Sequence, residues 1–391
     1  MQRGAVDAGQ IAAVTALPPC PHRPPCAGCP RYGEPGIAPR VRAELEALAR
    51  AHGLGRVPVT LGPASGFRHR ARLAIRGRVG APKVGIFELG THRVVHIPSC
   101  IVHHPLINRV AAVVRRALAE ARVSCYSEKA HLGLARYLQV VVERASATAQ
   151  VVLVANSETP GQLAASFELI RERLGSELHS LWFNAQCGRT NAILGPEFQR
   201  VDGPAAVIER FGGAAVHYPP GAFGQSSLEV ATRIIEHVRE QIPQGARVTE
   251  LYAGVGAIGL SVLDRAREVR MNEMGSQSLL GLELGIAALS PEDRSRVAVL
   301  PGSAELWRGA ASDTDVLIVD PPRKGLDRAL CDHLSDAPPA RLLYVSCGLD
   351  SFLADMRLLV QRGKLRLTSL VAFDLFAYTD HVEVVARLER A

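Results

Sequence analysis

Cys347 stands where the apolar run Arg341-Leu-Leu-Tyr-Val-Ser346 gives way to a Ser-Cys-Gly turn, which places a thiol at the tip of a buried strand. Ligands of open α/β sheets sit at such tips, and a thiol there can act as a nucleophile once ionised. The competing reading is a small buried apolar residue, the common fate of a free cysteine. A second group, Cys20, Cys26 and Cys29, has five residues in its first gap and two in its second, in a Pro- and Gly-rich setting that cannot be helix. Three thiolates need a fourth ligand. Cys100 in His96-Ile-Pro-Ser-Cys100 is the candidate, since it too ends an apolar run beside a proline, with His22 as an alternative. Soft thiolate sets select zinc or iron–sulfur clusters, and the spacing does not choose between them.

Glu250-Leu-Tyr252-Ala-Gly254-Val-Gly256-Ala-Ile-Gly259 contains a G-x-G-x-x-G turn from a predicted strand into a predicted helix, and Glu273 supplies an acid about 20 residues on. That geometry serves any adenosine ligand whose ribose is held by a carboxylate. Glu250, just before the glycines, favours S-adenosylmethionine over a nicotinamide dinucleotide, because a carboxylate suits a cationic amino-acid tail and repels a pyrophosphate. The competing reading of Glu250 is a solvated acid at a strand end. Asp320-Pro-Pro-Arg323-Lys-Gly ends another apolar run; where methyltransferases of exocyclic amines carry an aromatic residue after Pro-Pro, this chain has Arg323, which suits phosphate or a carbonyl oxygen.

These residues need elements to hold them. Val41, Leu45 and Leu48 predict a helix over 41–51, and two β-rich runs between Tyr137 and Asn156 predict a hairpin around Ser146–Thr148. In Gly66-Phe-Arg68-His-Arg70-Ala-Arg72-Leu, strand alternation puts Arg68, Arg70 and Arg72 on one face, available to phosphates or merely solvated. Ser226-Ser-Leu-Glu229 reads as a capping box opening a helix with Leu228, Ala231, Ile235, Val238 and Ile242 at helical spacing. From there strand and helix alternate, with predicted strands at 246–252, 315–320, 342–345 and 381–388. The expectation is a doubly wound, Rossmann-like α/β domain over 219–391, preceded by a strand-rich α+β domain over 20–218 and a tail over 1–19.

At 391 residues, two domains are expected. A hydrophobic share of 47% with 21% charged residues is that of a globular protein, and no run approaches the roughly 20 apolar residues of a membrane span. The N-terminus has no secretory pattern, so a cytoplasmic location is expected. The net charge of +7 is compatible with a polyanionic partner.

Taken together, these residues resemble the RNA (uracil-5-)-methyltransferase family, from the cysteine loop to the last strand. Phe223-Gly-Gln225 is similar to the family's F-x-Q, Glu250-Leu-Tyr252-Ala-Gly254-Val-Gly256 to its cofactor loop, Asp320-Pro-Pro-Arg-Lys-Gly to D-P-P-R-x-G, Val345-Ser-Cys347 to its nucleophile turn and His381-Val-Glu383 to its terminal H-V-E. The chain departs from the pattern at Gly348-Leu349, where Asn-Pro is usual, at Ala253, where Cys is usual, at Ser226-Ser227, and through 274–296. The resemblance implies a class I S-adenosylmethionine-dependent enzyme with a strand-rich RNA-binding domain, and a four-iron, four-sulfur cluster on Cys20, Cys26, Cys29 and Cys100. It also implies that Gln225, Glu250, Tyr252, Gly254, Gly256, Glu273 and Asp320 serve the cofactor or the base's polar edge.

The implied chemistry follows from the carbon methylated. Uracil C5 is a poor nucleophile; addition of the Cys347 thiolate to C6 makes it electron-rich, and a base, here Glu383, then removes the C5 proton. His381 takes a supporting place. The target base must be unpaired or flipped. The expected partner is RNA, ribosomal (23S) because the short N-terminus leaves no room for an extra β-barrel, with transfer RNA as the alternative, and the enzyme is expected to act as a monomer. Two rivals differ in class: a radical S-adenosylmethionine enzyme, whose triad has three residues in its first gap, and a non-catalytic metal-cluster RNA-binding protein, which has no use for Cys347 and Glu383 together.

Overall fold

The structure, a computed structural model, describes residues 19–34 and 36–391. The expected tail over 1–19 lies outside the described residues except for Pro19. Strand β1 is Val59–Leu61. A seven-stranded sheet is built from β2 (Arg70–Arg78), β3 (Ala81–Phe87), β4 (Val94–His96), β5 (Ala135–Glu143), β6 (Thr148–Ala155), β7 (Leu178–Ala185) and β8 (Glu197–Asp202), in the order β4-β3-β2-β5-β6-β7-β8. Only its β6–β7 pair is parallel. The expected hairpin is β5–β6, closing at Glu143 opposite Thr148. Helix Pro105–Glu120 buries Ile107, Val110, Val114 and Leu118 against this sheet, one helical stripe whose full burial contributes roughly 1.5–3 kcal/mol per large side chain. A short antiparallel pair, β9 (Val207–Phe211) and β10 (Ala214–Tyr218), leads to the second sheet.

That sheet adds β11 (Ala246–Leu251), β12 (Ala266–Glu273), β13 (Val297–Pro301), β14 (Val316–Val319), β15 (Arg341–Ser346), β16 (Leu365–Asp374) and β17 (Glu383–Arg390). Its order is β1-β16-β17-β15-β14-β11-β12-β13, all parallel except β17. The order reverses between β11 and β14, and a crevice opens at the carboxyl ends of strands beside such a switch point. Because β17 runs antiparallel to β15, its first residues lie at the same edge where β15 ends: Ser346 faces Val384. Topology therefore brings Glu383 to the edge that holds Cys347. This is a class I methyltransferase architecture.

Three local expectations are corrected. Residues 37–61, expected with the first domain, join the second sheet: helix Pro39–Ala51 buries Val41, Leu45 and Ala49 in the core under β14–β17, and β1 pairs with β16. The glycine turn opens no α-helix; the chain makes turns and one 3₁₀ turn, Leu260–Val262, because β12 already begins at Ala266. Helix Leu228–Glu240 starts after Ser227 without a side-chain cap. The capping box fails because this stretch pairs across to the first domain: the Ser226 carbonyl accepts from His69 N at 2.8 Å and Ser227 bridges Arg68.

Candidate active site

The glycine loop is held from beneath by two carboxyl groups. Gly254 N donates to Glu273 Oε2 and Gly259 N to Glu250 Oε2, both at 2.8 Å. Gly254 and Gly256 have φ of 59° and 79°, the left-handed region that glycine occupies without strain, and a Cβ on Gly254 would point into open space. Tyr252 shares this region at φ 63°, a strained placement for a tyrosine just before the turn. Asn272, which sequence reasoning misses, pins the rim: its Nδ2 donates to the Leu300 and Gly302 carbonyls at 2.8 Å, and its own carbonyl accepts from Ala253 N.

Beside this loop lies a set of acids and one thiol. Glu250 is buried, and desolvation, then Asp320, with Glu273 a smaller contributor, holds its carboxyl well above the usual range. Burial pushes Asp320 up to about 7. Glu383 is 2% exposed, and its Oε2 has no hydrogen-bond partner among the described residues; burial and then Asp320 hold it well above the ordinary carboxyl range, with Arg323 opposing. Burial, followed by Glu383 and Asp320, pushes Cys347 up to about 11, again against Arg323. These mutual effects place Cys347, Glu383, Asp320 and Arg323 around one space. His381 Nε2 lies 3.4 Å from Arg323 Nη2, and burial together with Arg323 lowers its pKa.

The Cys347 turn is fitted tightly to the Asp320-Pro-Pro-Arg323 loop. A Cβ on Gly348 would lie 2.7 Å from the Arg323 carbonyl oxygen, so glycine fits this packing after the thiol and a larger residue requires the turn or the Arg323 loop to shift. Asp355, also silent in the sequence, ties the two: it accepts from Tyr344 Oη at 2.6 Å and Leu326 N at 2.8 Å, joining β15 to the residues after Arg323.

Residues 310–391 match the family model described as tRNA (uracil-5-)-methyltransferase. A protein of Protochlamydia amoebophila described as an uncharacterized RNA methyltransferase is 33% identical over 380 residues, covering 95% of this chain and 97% of that one. The chain belongs to the RNA (uracil-5-)-methyltransferase family. A second relative, an uncharacterized RNA methyltransferase of Halalkalibacterium halodurans, is 26% identical over 94% of this chain and 81% of its own. Among solved structures, the Pyrococcus abyssi tRNA (uracil-54, C5)-methyltransferase in complex with S-adenosyl-L-homocysteine superposes with a TM-score of 0.74 at 22% identity, covering 93% of this chain and 86% of that one. That likeness shows the fold.

Other family motifs lie nearer the first domain. Gln225 lines a narrow crevice with His69, Arg70, Tyr218 and Leu228, while Phe223 is 65% exposed. The arginine face is corrected: Arg70 is buried and donates to the Ala222 carbonyl at 2.7 Å, and Arg68 is largely enclosed, its guanidinium 5.2 Å from the Phe376 ring centre. Of the three, only Arg72 is exposed, because β2 lies between β3 and β5 with one face under the segment 218–227. The four expected cluster cysteines are gathered on one side, close enough that burial and then Cys100, Cys26 and Cys20 push Cys29 up to about 11. Among the described residues no three His, Cys, Asp or Glu side chains converge tightly enough to hold one metal ion. No helix among them is long and apolar enough to cross a membrane.

Proposed function

We propose that this protein methylates C5 of a uridine in RNA, using S-adenosylmethionine, through a covalent bond between Cys347 and C6 of the base. The observation that carries it is the meeting of Cys347 with Glu383, a buried carboxyl with an unpaired oxygen, at one sheet edge. The cofactor's fit rests on charge. Glu250, Asp320 and Glu383 are crowded acids whose repulsion a cation relieves and a pyrophosphate worsens. Gly254, Gly256 and Tyr252 would carry it on the loop, Glu273 and Glu250 would hold its polar ends, and bound there it supplies an electrophilic methyl group.

The chain's own residues do the rest. Cys347 gives its proton to solvent and its sulfur adds to C6, and the displaced electron pair moves into the C5–C4–O4 system, so that C5 becomes the nucleophile. After methylation, Glu383 takes the C5 proton; that electron pair restores the C5–C6 double bond and expels the Cys347 thiolate. A carboxyl raised above its ordinary range is a stronger proton acceptor, which suits this step. Gln225 and Asp320 would orient the base's polar edge, and Arg323 a phosphate or carbonyl oxygen.

Cys20, Cys26, Cys29 and Cys100 would hold the four-iron, four-sulfur cluster. Cys29 and Cys100 are held protonated by burial and by the neighbouring thiols, and a metal charge reverses that ionisation. Anaerobic protein should contain iron and labile sulfide; one equivalent of zinc with neither would replace the cluster by a structural metal. The substrate proposed is 23S ribosomal RNA, acted on by a cytoplasmic monomer whose first domain, built on the seven-stranded sheet β2–β8, supplies the RNA-binding surface. Transfer RNA is the second reading, favoured by the name of the matching family model and of the Pyrococcus enzyme. Mass mapping of 5-methyluridine in cellular RNA with and without the protein tests the function and separates the two. No change in any RNA would overturn it.

A further inference from the structure

We infer that the cysteine-bearing loop 20–34 is a brace for the segment that delivers Glu383 and His381, with Arg31 as its positioning residue. The inference rests on the proposed roles of Cys347 and Glu383. Between the end of β16 at Asp374 and the start of β17 at Glu383, eight residues form an irregular connection that must aim the base. Bonds within it are local: Thr379 Oγ1 donates to the Phe376 carbonyl at 2.8 Å and accepts from His381 N at 3.2 Å. Tyr378 sits at φ 68°, a conformation a tyrosine keeps only when its surroundings impose it.

Those surroundings come from the far end of the sequence. Arg31 N donates to the Tyr378 carbonyl at 3.0 Å and Arg31 Nη1 to the Thr379 carbonyl at 3.3 Å, while the same nitrogen reaches the Gly36 carbonyl at 3.2 Å. The guanidinium also faces Glu34 at 3.0 Å and Asp380 at 3.9 Å, and the side chain is only 13% exposed. Tyr378 Oη donates to the Ala64 carbonyl at 2.8 Å. The rings of Tyr32 and Tyr378 stand 5.2 Å apart, and Phe67, Val102, Ala377 and Tyr378 form one apolar cluster against which Cys29 and Cys100 pack. Arg68 closes the other side over Phe376, whose ring meets His381 edge-on at 6.1 Å. The loop thus fixes both consecutive carbonyls, 378 and 379, immediately ahead of the catalytic strand. A base displaced by about 1 Å loses on the order of 100-fold in rate, so this bracing matters for turnover more than for RNA capture.

The test compares wild type, Arg31→Ala and Arg31→Lys as full-length protein. In Arg31→Ala, amide exchange over 376–383 should quicken by about 10-fold or more, kcat should fall about 10- to 100-fold with KM for RNA changed less than about 2-fold, and a methylated protein–RNA adduct should accumulate on natural RNA because proton removal is slowed. Arg31→Lys, which keeps the charge and one donor, should lie between the two, and it carries the test if the alanine variant does not fold. Unchanged exchange over 376–383 would overturn the brace, as would an effect confined to RNA affinity. Trapping of wild type by 5-fluorouridine RNA is the separate control: its failure sinks the covalent reading itself, and exchange alone then decides the brace.

Discussion

The two sheets both bury polar side chains, and they differ in which ones: the first buries mostly amides and arginines bonded to backbone, although Gln150 Oε1 and Arg136 Nε lack a partner among the described residues, whereas the second gathers acids that repel one another. In the first sheet Gln139 donates to the Pro220 carbonyl, Gln150 to Tyr218, Arg70 to Ala222 and Asn184 to Gly195 and Glu197, so each is committed to the backbone of the linker or of a neighbouring segment. In the crevice of the second sheet, Asp320 raises the pKa of both Glu250 and Glu383, and Glu383 keeps an oxygen without a partner among the described residues. A buried polar group that is satisfied fastens a fold, whereas one that is repelled and unsatisfied costs stability until something arrives to complete it. The first sheet is therefore a mount for the segment bearing Phe223 and Gln225, and the second holds the groups proposed to react.

The contrast breaks most sharply at the thiol. Cys347→Ala should reduce turnover by more than about 10³-fold, measured as methyl transfer to RNA, and abolish any denaturation-resistant complex. Substantial residual activity would return Cys347 to a buried thiol at a strand end. Next comes Glu383→Gln, which should slow turnover by about 10²- to 10⁴-fold while leaving a methylated, Cys347-dependent adduct visible on a denaturing gel. Absence of that adduct would remove Glu383 from proton abstraction.

The acids also predict a pH dependence opposite in sign to that of His69 and His103 beside the first sheet, whose pKa burial lowers to about 4 so that they cost stability as the pH falls. Asp320 is raised from its unfolded value, near 4, to about 7, so the folded state holds its proton over that interval and the unfolded state does not. Stability from this group is complete below about pH 4 and is lost as pH rises to about 7. Asp320→Asn should accordingly stabilise the ligand-free protein at pH 8 by about 2 kcal/mol, in denaturant unfolding, with the gain vanishing near pH 4. Gln139→Leu is the counterpart in the mount. It leaves the Pro220 carbonyl unpaired and should cost about 1–3 kcal/mol equally at both pH values. A pH-dependent loss there, or a pH-independent gain at Asp320, would erase the distinction between the regions.

The crevice is legible in the sequence because its parts are local. Glu250, Asp320 and Cys347 each stand where an apolar run stops, so these strand ends can be read directly, whereas Glu383 opens its strand and reaches the same edge because β17 runs antiparallel to β15. The mount is less legible because its assignments depend on distant partners. Alternation puts Arg68, Arg70 and Arg72 on one face, but what covers that face depends on residues 218–227, far along the chain. Likewise β1 looks like part of the first domain until β16 pairs with it. Asn272 and Asp355 carry no local signal, since their partners are brought near by packing.

That failure sharpens the smallest prediction, which concerns RNA binding. Three phosphate-facing arginines are reduced to one, since Arg70 is sealed against Ala222 and Arg68 against Phe376. Arg72 stays exposed while its Nε donates to Gln139 Oε1 at 2.8 Å, leaving the outer nitrogens for a phosphate. Removing one arginine–phosphate pair flattens the slope of log affinity against log salt by about 0.7 for single-stranded RNA. Arg72→Ala should lower the slope by that amount and weaken binding modestly, measured by filter binding over a salt series. Arg70→Ala should instead destabilise the protein and leave the slope of the folded fraction unchanged, because its guanidinium serves the linker. Were Arg70→Ala to flatten the slope and Arg72→Ala not, the first sheet would be presenting a different face to RNA, and the division between mount and crevice would have to be redrawn.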